Sequence, residues 1–388
     1  MKRISALLMA FAIGLSLAGC SGSSAQATAE AATASATEAA AETTAAATKE
    51  QTNIIAVSLP TLDNPLMVGI GDSVTKMFPD KTVKVTGANG DPNTQATQIQ
   101  NYITMNVDEI VVMPTDVDSL TPILADAKAA GIKVLVCGSQ MADNTAYDCM
   151  ATVNQYLVGS YSAYLTKTWV DKNYADAADG SIECAVLTSS LNQDGKDKSN
   201  GMMQVFEPYL KDVNGNYIDL DGNKVDESKK VANSAYCSKL KMVASTDAEM
   251  AAAAQTAFQN VLTSNPDVKV VLCCTGDGAG AVSQIYMDMG LSADDYAKIG
   301  VFGCGFIGSE KDYIQGSVAG TSVFRATVAF GGGDLPGEMA DLAKSVLDGT
   351  ADKDVWDPIA LVYMDNTKAL QMTDVANTGT IQAAAVNW

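Results

Sequence analysis

The hydrophobic pattern from residue 53 onward alternates between two kinds of segment. Apolar runs of strand length, such as the one ending at Leu59, are followed by segments whose apolar residues recur at helical spacing, as Ile70 and Val74 do. This first series predicts strands at 53–59, 82–86, 109–113, 132–137 and 149–153, and Gly131 ends its third helix. Strands that are apolar throughout and alternate with amphipathic helices indicate a parallel sheet covered on both faces.

A second series of about the same size begins after Asn154. It predicts strands at 183–188, 235–244, 268–274, 299–304, 320–324 and 358–363, with helices around 202–210, 250–262 and 335–347. Two such series predict an α/β fold with two doubly wound, parallel-sheet (Rossmann-like) lobes. In sheets of this kind, ligands bind beyond the carboxyl ends of the strands, and here two such ends can face each other.

The segment 211–230 interrupts the second series. Its Asn-Gly and Asp-Gly pairs favour a β-hairpin insertion. The segment is also rich in oxygen ligands, which suggests a calcium loop as an alternative. However, an EF-hand loop that starts at Asp212 would need glycine where Tyr217 stands.

Composition excludes several classes of function. The 388 residues include 45 Asp and Glu but only 25 Lys and Arg, which gives a net charge of −20. This charge argues against a nucleic-acid partner, because phosphate binding needs clustered basic residues. The chain contains no histidine, so Ser-His-Asp and Cys-His nucleophile pairs and HExxH zinc sites are excluded. An enzyme would have to work with carboxylates, Lys, Tyr or a cofactor.

The N-terminus predicts export and anchoring. Lys2 and Arg3 precede an apolar run at 4–18, which is shorter than a membrane span and typical of a signal peptide. The run ends in Leu17-Ala-Gly-Cys20, which resembles a bacterial lipobox. We therefore expect a signal peptide at 1–19, a lipidated Cys20 and an Ala/Thr/Ser-rich tether at 20–52 that holds an extracytoplasmic protein on the outer face of the membrane. An ordinary secretory signal with a chance cysteine is the alternative.

Seven further cysteines lie in or near the folded region. Most stand in apolar, strand-like runs, and none forms a CxxC pair suited to zinc or redox chemistry. We predict that they are buried free thiols, with one disulfide as the minor alternative. They are Cys137, Cys149, Cys184, Cys237, Cys273, Cys274 and Cys304.

Several loops resemble those of type I solute-binding proteins, the ribose- and galactose-binding family of ABC importers. Thr61-Leu-Asp-Asn-Pro-Leu-Met67 is similar to the family's opening loop. Other similar segments, in the family's order, are Met113-Pro-Thr-Asp-Val-Asp-Ser-Leu120, Asn154-Gln-Tyr-Leu-Val-Gly159, Asn265-Pro-Asp-Val268, Gly276-Asp277, Val301-Phe-Gly303 and Val346-Leu-Asp-Gly349. The resemblance extends from about residue 53 to about residue 363.

The resemblance implies three crossovers between the lobes, near Asn154, Phe324 and Leu361. One lobe would hold 53–153 and 325–358, and the other 154–324 and 359–388. It implies a monomer, without cofactor or catalytic residues, that captures a small solute by hinge closure and delivers it to a membrane permease. The solute class that it favours is a carbohydrate.

The ligand contacts that the resemblance implies are Asn64, Leu66, Met67, Gly138, Ser139, Asn154, Asn192, Asp194, Lys196, Lys198, Asp277, Gly305 and Phe324. Several of these depart from the family's pattern. Gly138 and Ser139 stand where an Asp-Arg or Asn-Lys pair is usual, Gly276 replaces Asn, Gly305 replaces Asp, and Phe324 replaces Asn or Gln. Glycines in these positions predict a larger and less polar cleft, and hence a larger or less hydroxylated ligand than ribose or galactose.

Individual residues, and the chain as a whole, also admit different readings. Phe324 could belong to the core, Lys196 and Lys198 could be solvated charges, and Asp194 could cap a helix. Gly276-Asp-Gly-Ala-Gly-Ala281 fits a dinucleotide fingerprint, which would make the chain a nucleotide-dependent enzyme. The chain could also be a receptor for a nucleoside or signalling molecule that feeds a chemosensory system, or a purely structural surface lipoprotein.

Overall fold

The computed structural model describes residues 51–388, apart from residues 64, 142, 191, 192, 213, 307, 308, 332, 333 and 378 and the side chains of residues 65 and 309. The predicted signal peptide, Cys20, nearly all of the tether, Asn64 and Asn192 therefore lie outside the described residues. Within the described part of the chain, no helix has the length and apolar character needed to cross a bilayer.

Six parallel strands form the first sheet, and four helices accompany it. The strands are β1 (Ile54–Leu59), β2 (Thr82–Gly87), β3 (Glu109–Val112), β4 (Lys133–Cys137), β5 (Cys149–Thr152) and β11 (Asp354–Trp356). Their spatial order is β2-β1-β3-β4-β5-β11. The helices are α1 (Pro65–Met77), α2 (Pro92–Thr104), α3 (Val117–Ala129) and α10 (Leu335–Leu347).

Seven strands form the second sheet. They are β6 (Ile182–Thr188), β7 (Leu240–Asp247), β8 (Val270–Cys273), β9 (Gly300–Cys304), β10 (Phe324–Phe330), β12 (Ile359–Met364) and β13 (Leu370–Val375). Their spatial order is β7-β6-β8-β9-β10-β12-β13, and β12 alone runs opposite to the other six, so the β10–β12 and β12–β13 pairs are antiparallel. The helices are α4 (Gln155–Asn173), α5 (Gln193–Met202), α6 (Ala251–Ser264), α7 (Gly276–Asp288), α8 (Ala293–Ala297) and α9 (Ser309–Ala319).

The sequence explains why these elements form. Every residue of β3, β8 and β9 is buried, as expected for central strands between two helical layers. Apolar clusters fill both faces of both sheets. The Asp116 side chain caps α3 by accepting a hydrogen bond from the Ser119 amide, and Gly131 follows the helix at φ +76°. The predicted α/β fold with two parallel-dominated sheets is confirmed.

The chain passes between the sheets three times, through short connections. These lie between β5 and α4, between β10 and α10, and between β11 and β12, and each has at most four residues. Connections this short hold the carboxyl ends of β5, β10 and β11 close together, because an extended residue spans only about 3.5 Å. The third passage is also hydrogen bonded to its neighbours: the Asp357 amide donates to the Thr152 carbonyl at the end of β5 (2.8 Å), and the Gly331 amide of the second passage donates to the Pro358 carbonyl (3.2 Å). The carboxyl edges of the two sheets therefore lie against one another.

Three details of the second series differ from the sequence prediction. The strand predicted at 235–244 is β7, at Leu240–Asp247. The helix predicted around 202–210 is α5, which ends at Met202 and continues as a 3-10 turn over Met203–Phe206. The strand predicted at 320–324 is β10, so residues 325–330 belong to the second sheet and the chain crosses after Phe330 rather than at Phe324.

The insertion at 211–230 contains two tight turns joined by isolated bridges. In the first turn, the Asp212 carboxylate accepts hydrogen bonds from the Asn214 and Asn216 amides. In the second, the Asp219 carboxylate accepts them from the Asp221 and Asn223 amides. Each carboxylate stabilises its own turn, and among the described residues no group of three or more acidic or cysteine side chains is placed to hold a metal ion.

Candidate functional site

The first wall of the candidate site lies at the carboxyl edge of the first sheet. Gly138 follows β4 at φ +74°, and a Cβ atom on it would lie 3.2 Å from the Met113 methyl group. Ser139 beside it is half-buried. Leu66 and Met67 lie in the first turn of α1, where Leu66 is 41% exposed and Met67 packs against the core. The predicted contacts on this wall thus provide mainly apolar surface and backbone groups.

Asn154 lies at the first passage between the sheets. Its Oδ1 caps α4 by accepting a hydrogen bond from the Leu157 amide at 3.1 Å. Its side-chain nitrogen has no hydrogen-bond partner among the described residues. Asn154 can therefore stabilise the helix and donate to a ligand at the same time.

Helix α5 carries two charged groups to the second wall. Lys198 is only 9% exposed, and its ammonium lies 5.4 Å from the centre of the Phe330 ring. It makes no salt bridge within 4.0 Å to any described residue. Burial raises the pKa of Asp194 to about 6, although the positive charge of Lys198 opposes the shift. A half-buried carboxyl group and a buried ammonium thus lie on the same side of one helix.

Phe330, Gly305 and Gly276 meet at the ends of neighbouring strands. A Cβ atom on Gly305 would lie 3.8 Å from the Gly276 nitrogen and 4.0 Å from Cε1 of Phe330. Gly305 has φ +101°, a conformation that other residues rarely adopt. Together with Lys198, these residues form a compact floor at the carboxyl edge of β8, β9 and β10.

Glu310 fills the space that Gly276 leaves. Its Oε1 lies 2.4 Å from the position a Cβ atom would take on Gly276, and the residue is 2% exposed. Asp277, in the next position of α7, is exposed. The volume beside Gly276 is therefore filled by a buried carboxyl group and adds no open space to the cleft.

The same arrangement argues against the dinucleotide fingerprint. A pyrophosphate would need the N-terminus of α7 to be open and free of negative charge. Glu310 packs directly against Gly276, and Asp277 lies in the first turn. Two carboxyl groups at this helix end would repel a phosphate.

Phe324 is the predicted contact that the structure contradicts. It is fully buried, pairs with Val301 at the amino end of β9 and packs against the Tyr313 ring. Because β10 runs parallel to β9, its aromatic residue at the carboxyl edge is Phe330, six residues later. Sequence reasoning missed Phe330, although its place directly before three glycines, at the end of an apolar run, is a usable signal. No comparable feature of the sequence indicates that Glu310 lies beside Gly276.

The remaining predicted contacts are only partly brought together. Asp194, Lys198 and Gly305 lie around one floor, whereas exposed Lys196 points to another side of α5. Asn64 and Asn192 lie outside the described residues. The seven cysteines of the folded region are free and buried, which confirms the prediction of buried thiols; burial raises the pKa of Cys304, beside the floor, to about 11.

Comparisons with known proteins agree with this architecture. Residues 55–351 match the family model described as a periplasmic binding protein domain. The chain is 35% identical over 81 residues to a D-xylose-binding periplasmic protein of Haemophilus influenzae, covering 21% of this chain and 24% of that protein. It is 30% identical over 128 residues to a xylitol-binding protein of Mycolicibacterium smegmatis, covering 31% of this chain and 33% of that protein. The matches thus span about a quarter to a third of these relatives.

A solved structure shares the fold over most of the chain. It is an ABC transporter solute-binding protein of Bacillus halodurans with bound myo-inositol, with a TM-score of 0.60, 16% identity, and coverage of 80% of this chain and 94% of that one. At this identity the likeness concerns the fold alone. The family match covers most of this chain, and on that ground the chain belongs to the periplasmic binding protein domain family, whose members are binding proteins and not enzymes.

Proposed function

We propose that this protein captures a carbohydrate outside the cell and delivers it to the permease of an ABC importer. The observation that carries the proposal is the pair of facing carboxyl edges, with Lys198, Asp194 and Phe330 on one of them. Such an edge is where doubly wound sheets bind ligands. The relatives' names support the class of ligand, since D-xylose and xylitol are both small polyhydroxylated molecules.

The site chemistry supports a polyhydroxylated ligand. An ionised carboxylate accepts hydrogen bonds from hydroxyl groups, an ammonium donates to them, and an aromatic ring covers the apolar face of a sugar. A buried ammonium is costly unless a partner satisfies its hydrogen bonds. Ligand oxygens between the lobes would supply partners for Lys198.

Capture proceeds by bending at the three short passages between the sheets. The ligand binds more tightly to the closed form, and this difference in affinity drives closure. The passage between β10 and α10 begins with Gly331, at φ +85°, within a run of three glycines in the sequence, a composition that permits large changes of backbone angle. The proposed anchor is diacylglycerol on Cys20, which would keep the protein beside its permease.

A ligand screen tests the proposal. Thermal-shift measurements on the purified chain with pentoses, hexoses, polyols, nucleosides and amino acids should show stabilisation by at least one sugar or polyol, because ligand binding raises apparent stability. Lys198→Met, Phe330→Ala and Asp277→Ala should each weaken that binding about tenfold or more. Lys241→Met, which changes an exposed lysine of β7, is the control and should bind normally. Stabilisation by nucleosides or amino acids alone would refute a carbohydrate ligand.

A further inference from the structure

A polar hollow lies beside α5, on the side away from Lys198. Its volume is about 460 Å³, within the range of about 300–1,000 Å³ that is usual for small-molecule sites. Four hydroxyl side chains line it, those of Thr188, Ser189, Ser199 and Ser245. The Lys196 ammonium, the Asn200 amide and the Met203 thioether complete the lining.

The spacing along α5 explains why one helix serves two sites. Asp194 and Lys198 are four residues apart and lie on the side that faces the floor of the cleft. Lys196, Asn200 and Met203 are spaced by four and three residues, so they follow a second stripe of the helix. Helix α5 thus separates the floor from the hollow and contributes side chains to both.

The opposite side of the hollow is formed by the edge strand β7. Ser245 is paired in register with Val186 of β6, and the Val186 side chain belongs to the core on the face that carries α4 and α5. Successive strand residues alternate between faces, so Ser245 lies on the same face as α5. It is exposed there, which leaves its hydroxyl accessible.

A hydrogen-bonded rim connects the hollow to the floor of the cleft. The Ser189 hydroxyl, which lines the hollow, donates to Oε2 of Glu249 at 2.7 Å. The Glu249 carbonyl accepts a hydrogen bond from Oγ1 of Thr275 at 2.6 Å, and Thr275 caps α7. The next residue, Gly276, packs against Glu310 in the floor. Both sites therefore lie along one edge of the second sheet.

We infer that the hollow is a second sugar subsite, so that the ligand is a di- or oligosaccharide rather than a single sugar. This inference rests on the proposed function. The Ser189 and Ser199 hydroxyls are buried and bonded to protein groups. The Thr188 and Ser245 hydroxyls and the Asn200 amide can donate and accept hydrogen bonds, and the Lys196 ammonium donates, which suits a neutral ring with several hydroxyls. The Met203 thioether offers a soft apolar surface to the ring's C–H groups. One unit of the ligand occupies the cleft and another occupies the hollow.

Calorimetry on the purified full-length chain tests the inference by comparing each monosaccharide with its disaccharide. The probes are D-xylose with xylobiose, D-glucose with cellobiose, and D-galactose with lactose. At least one disaccharide should bind about tenfold more tightly than its monosaccharide. Ser245→Leu, which fills the hollow from an exposed position, should remove that advantage while changing monosaccharide affinity by less than about twofold.

Asn200→Ala and Lys241→Leu complete the set. Asn200→Ala removes a lining amide and should reduce the disaccharide advantage. Lys241→Leu introduces the same leucine on the opposite face of β7 and should leave the advantage intact. Disaccharides that bind no better than monosaccharides, or an advantage that survives both Ser245→Leu and Asn200→Ala, would overturn the inference and leave the proposed function standing. A chain that binds none of these sugars would refute both.

Discussion

Replacing Gly159 with alanine should separate α4 from α5 and destabilise the protein. The backbones of the two helices are in direct contact here, because a Cβ atom on Gly159 would lie 1.9 Å from the Lys198 carbonyl oxygen and 2.8 Å from the Met202 nitrogen. Cβ atoms essentially never come closer than 3.0 Å to such atoms. Both obstacles are helix backbone, so α5 must move away as a unit by about 1 Å.

We expect this change to cost about 3 kcal/mol or more, at the upper end of the range for overpacked cores. The corresponding fall in Tm is roughly 4 °C or more, because a folded region of this size has an unfolding entropy of about 0.7 kcal/mol/K. Because α5 carries Asp194 and Lys198, ligand affinity should fall as well. Differential scanning calorimetry and ligand titration on the same preparation measure the two effects.

Gly69→Ala is the matched control. Gly69 also lies inside a helix, but a Cβ atom there would meet only the Pro336 ring, at 3.4 Å, which is ordinary contact. Alanine should therefore stabilise the protein by about 0.5–1 kcal/mol through helix propensity. Gly201 provides a second check, since its Cβ would lie 2.1 Å from the Tyr156 carbonyl oxygen. Once Gly159→Ala has separated the helices, Gly201→Ala should cost much less than it does alone. A Gly159→Ala protein with wild-type Tm would refute the close helix contact.

Three further predictions concern buried groups. Glu109 is fully buried with both carboxyl oxygens unpartnered, and burial raises its pKa well above the usual value. As pH rises above about 4.3, the free energy of unfolding of the wild type, measured in urea, should fall by about 1.4 kcal/mol per pH unit relative to Glu109→Gln. An equal dependence of the two unfolding free energies on pH would contradict this. Because burial raises the pKa of Asp194 to about 6, its carboxylate is ionised at pH 7 and accepts stronger hydrogen bonds than at pH 5. Calorimetry should therefore show weaker sugar affinity at pH 5 than at pH 7. The Asp194→Asn variant should show no such difference. Phe324→Ala should cost about 3–5 kcal/mol of stability while the folded protein keeps its affinity, whereas Phe330→Ala should lower affinity with a smaller loss of Tm.

The fold was predictable because most of its strands and helices carry a strong apolar pattern. Strands such as β3 and β9 are buried on both faces, so every position in them is apolar or small apart from Glu109 at the start of β3. Helix α5 lacks such a pattern, since it packs on α4 through Gly201, and Met202 is the one large apolar side chain among its buried residues. A helix that packs through backbone contact has no hydrophobic periodicity in its sequence from which it could be predicted.

The site was less predictable than the fold. The point at which the chain crosses from one sheet to the other determines which residues lie at the carboxyl edge of the second sheet. The loop resemblance predicts a crossing near Phe324, but β10 continues to Phe330 and carries a different aromatic ring to the floor. Glu310 enters the floor from α9, and its position depends on how α7 and α9 meet at Gly276. Neither fact follows from local propensity, since both depend on packing between elements distant in sequence.

The surroundings of Gly138, Gly276 and Gly305 change what these glycines imply about the size and polarity of the cleft. Gly138 and Gly305 have φ values of +74° and +101°, so their turns require glycine whatever the ligand is. Gly276 makes room for the Glu310 carboxyl group. The floor has polar groups in Lys198 and Asp194, so the glycines alone give no reason to expect a less hydroxylated ligand. The reason for expecting a longer one is now independent of the glycines, because it rests on a hydroxyl-lined hollow along the same sheet edge. A ligand that is both fully hydroxylated and longer than one ring satisfies both observations.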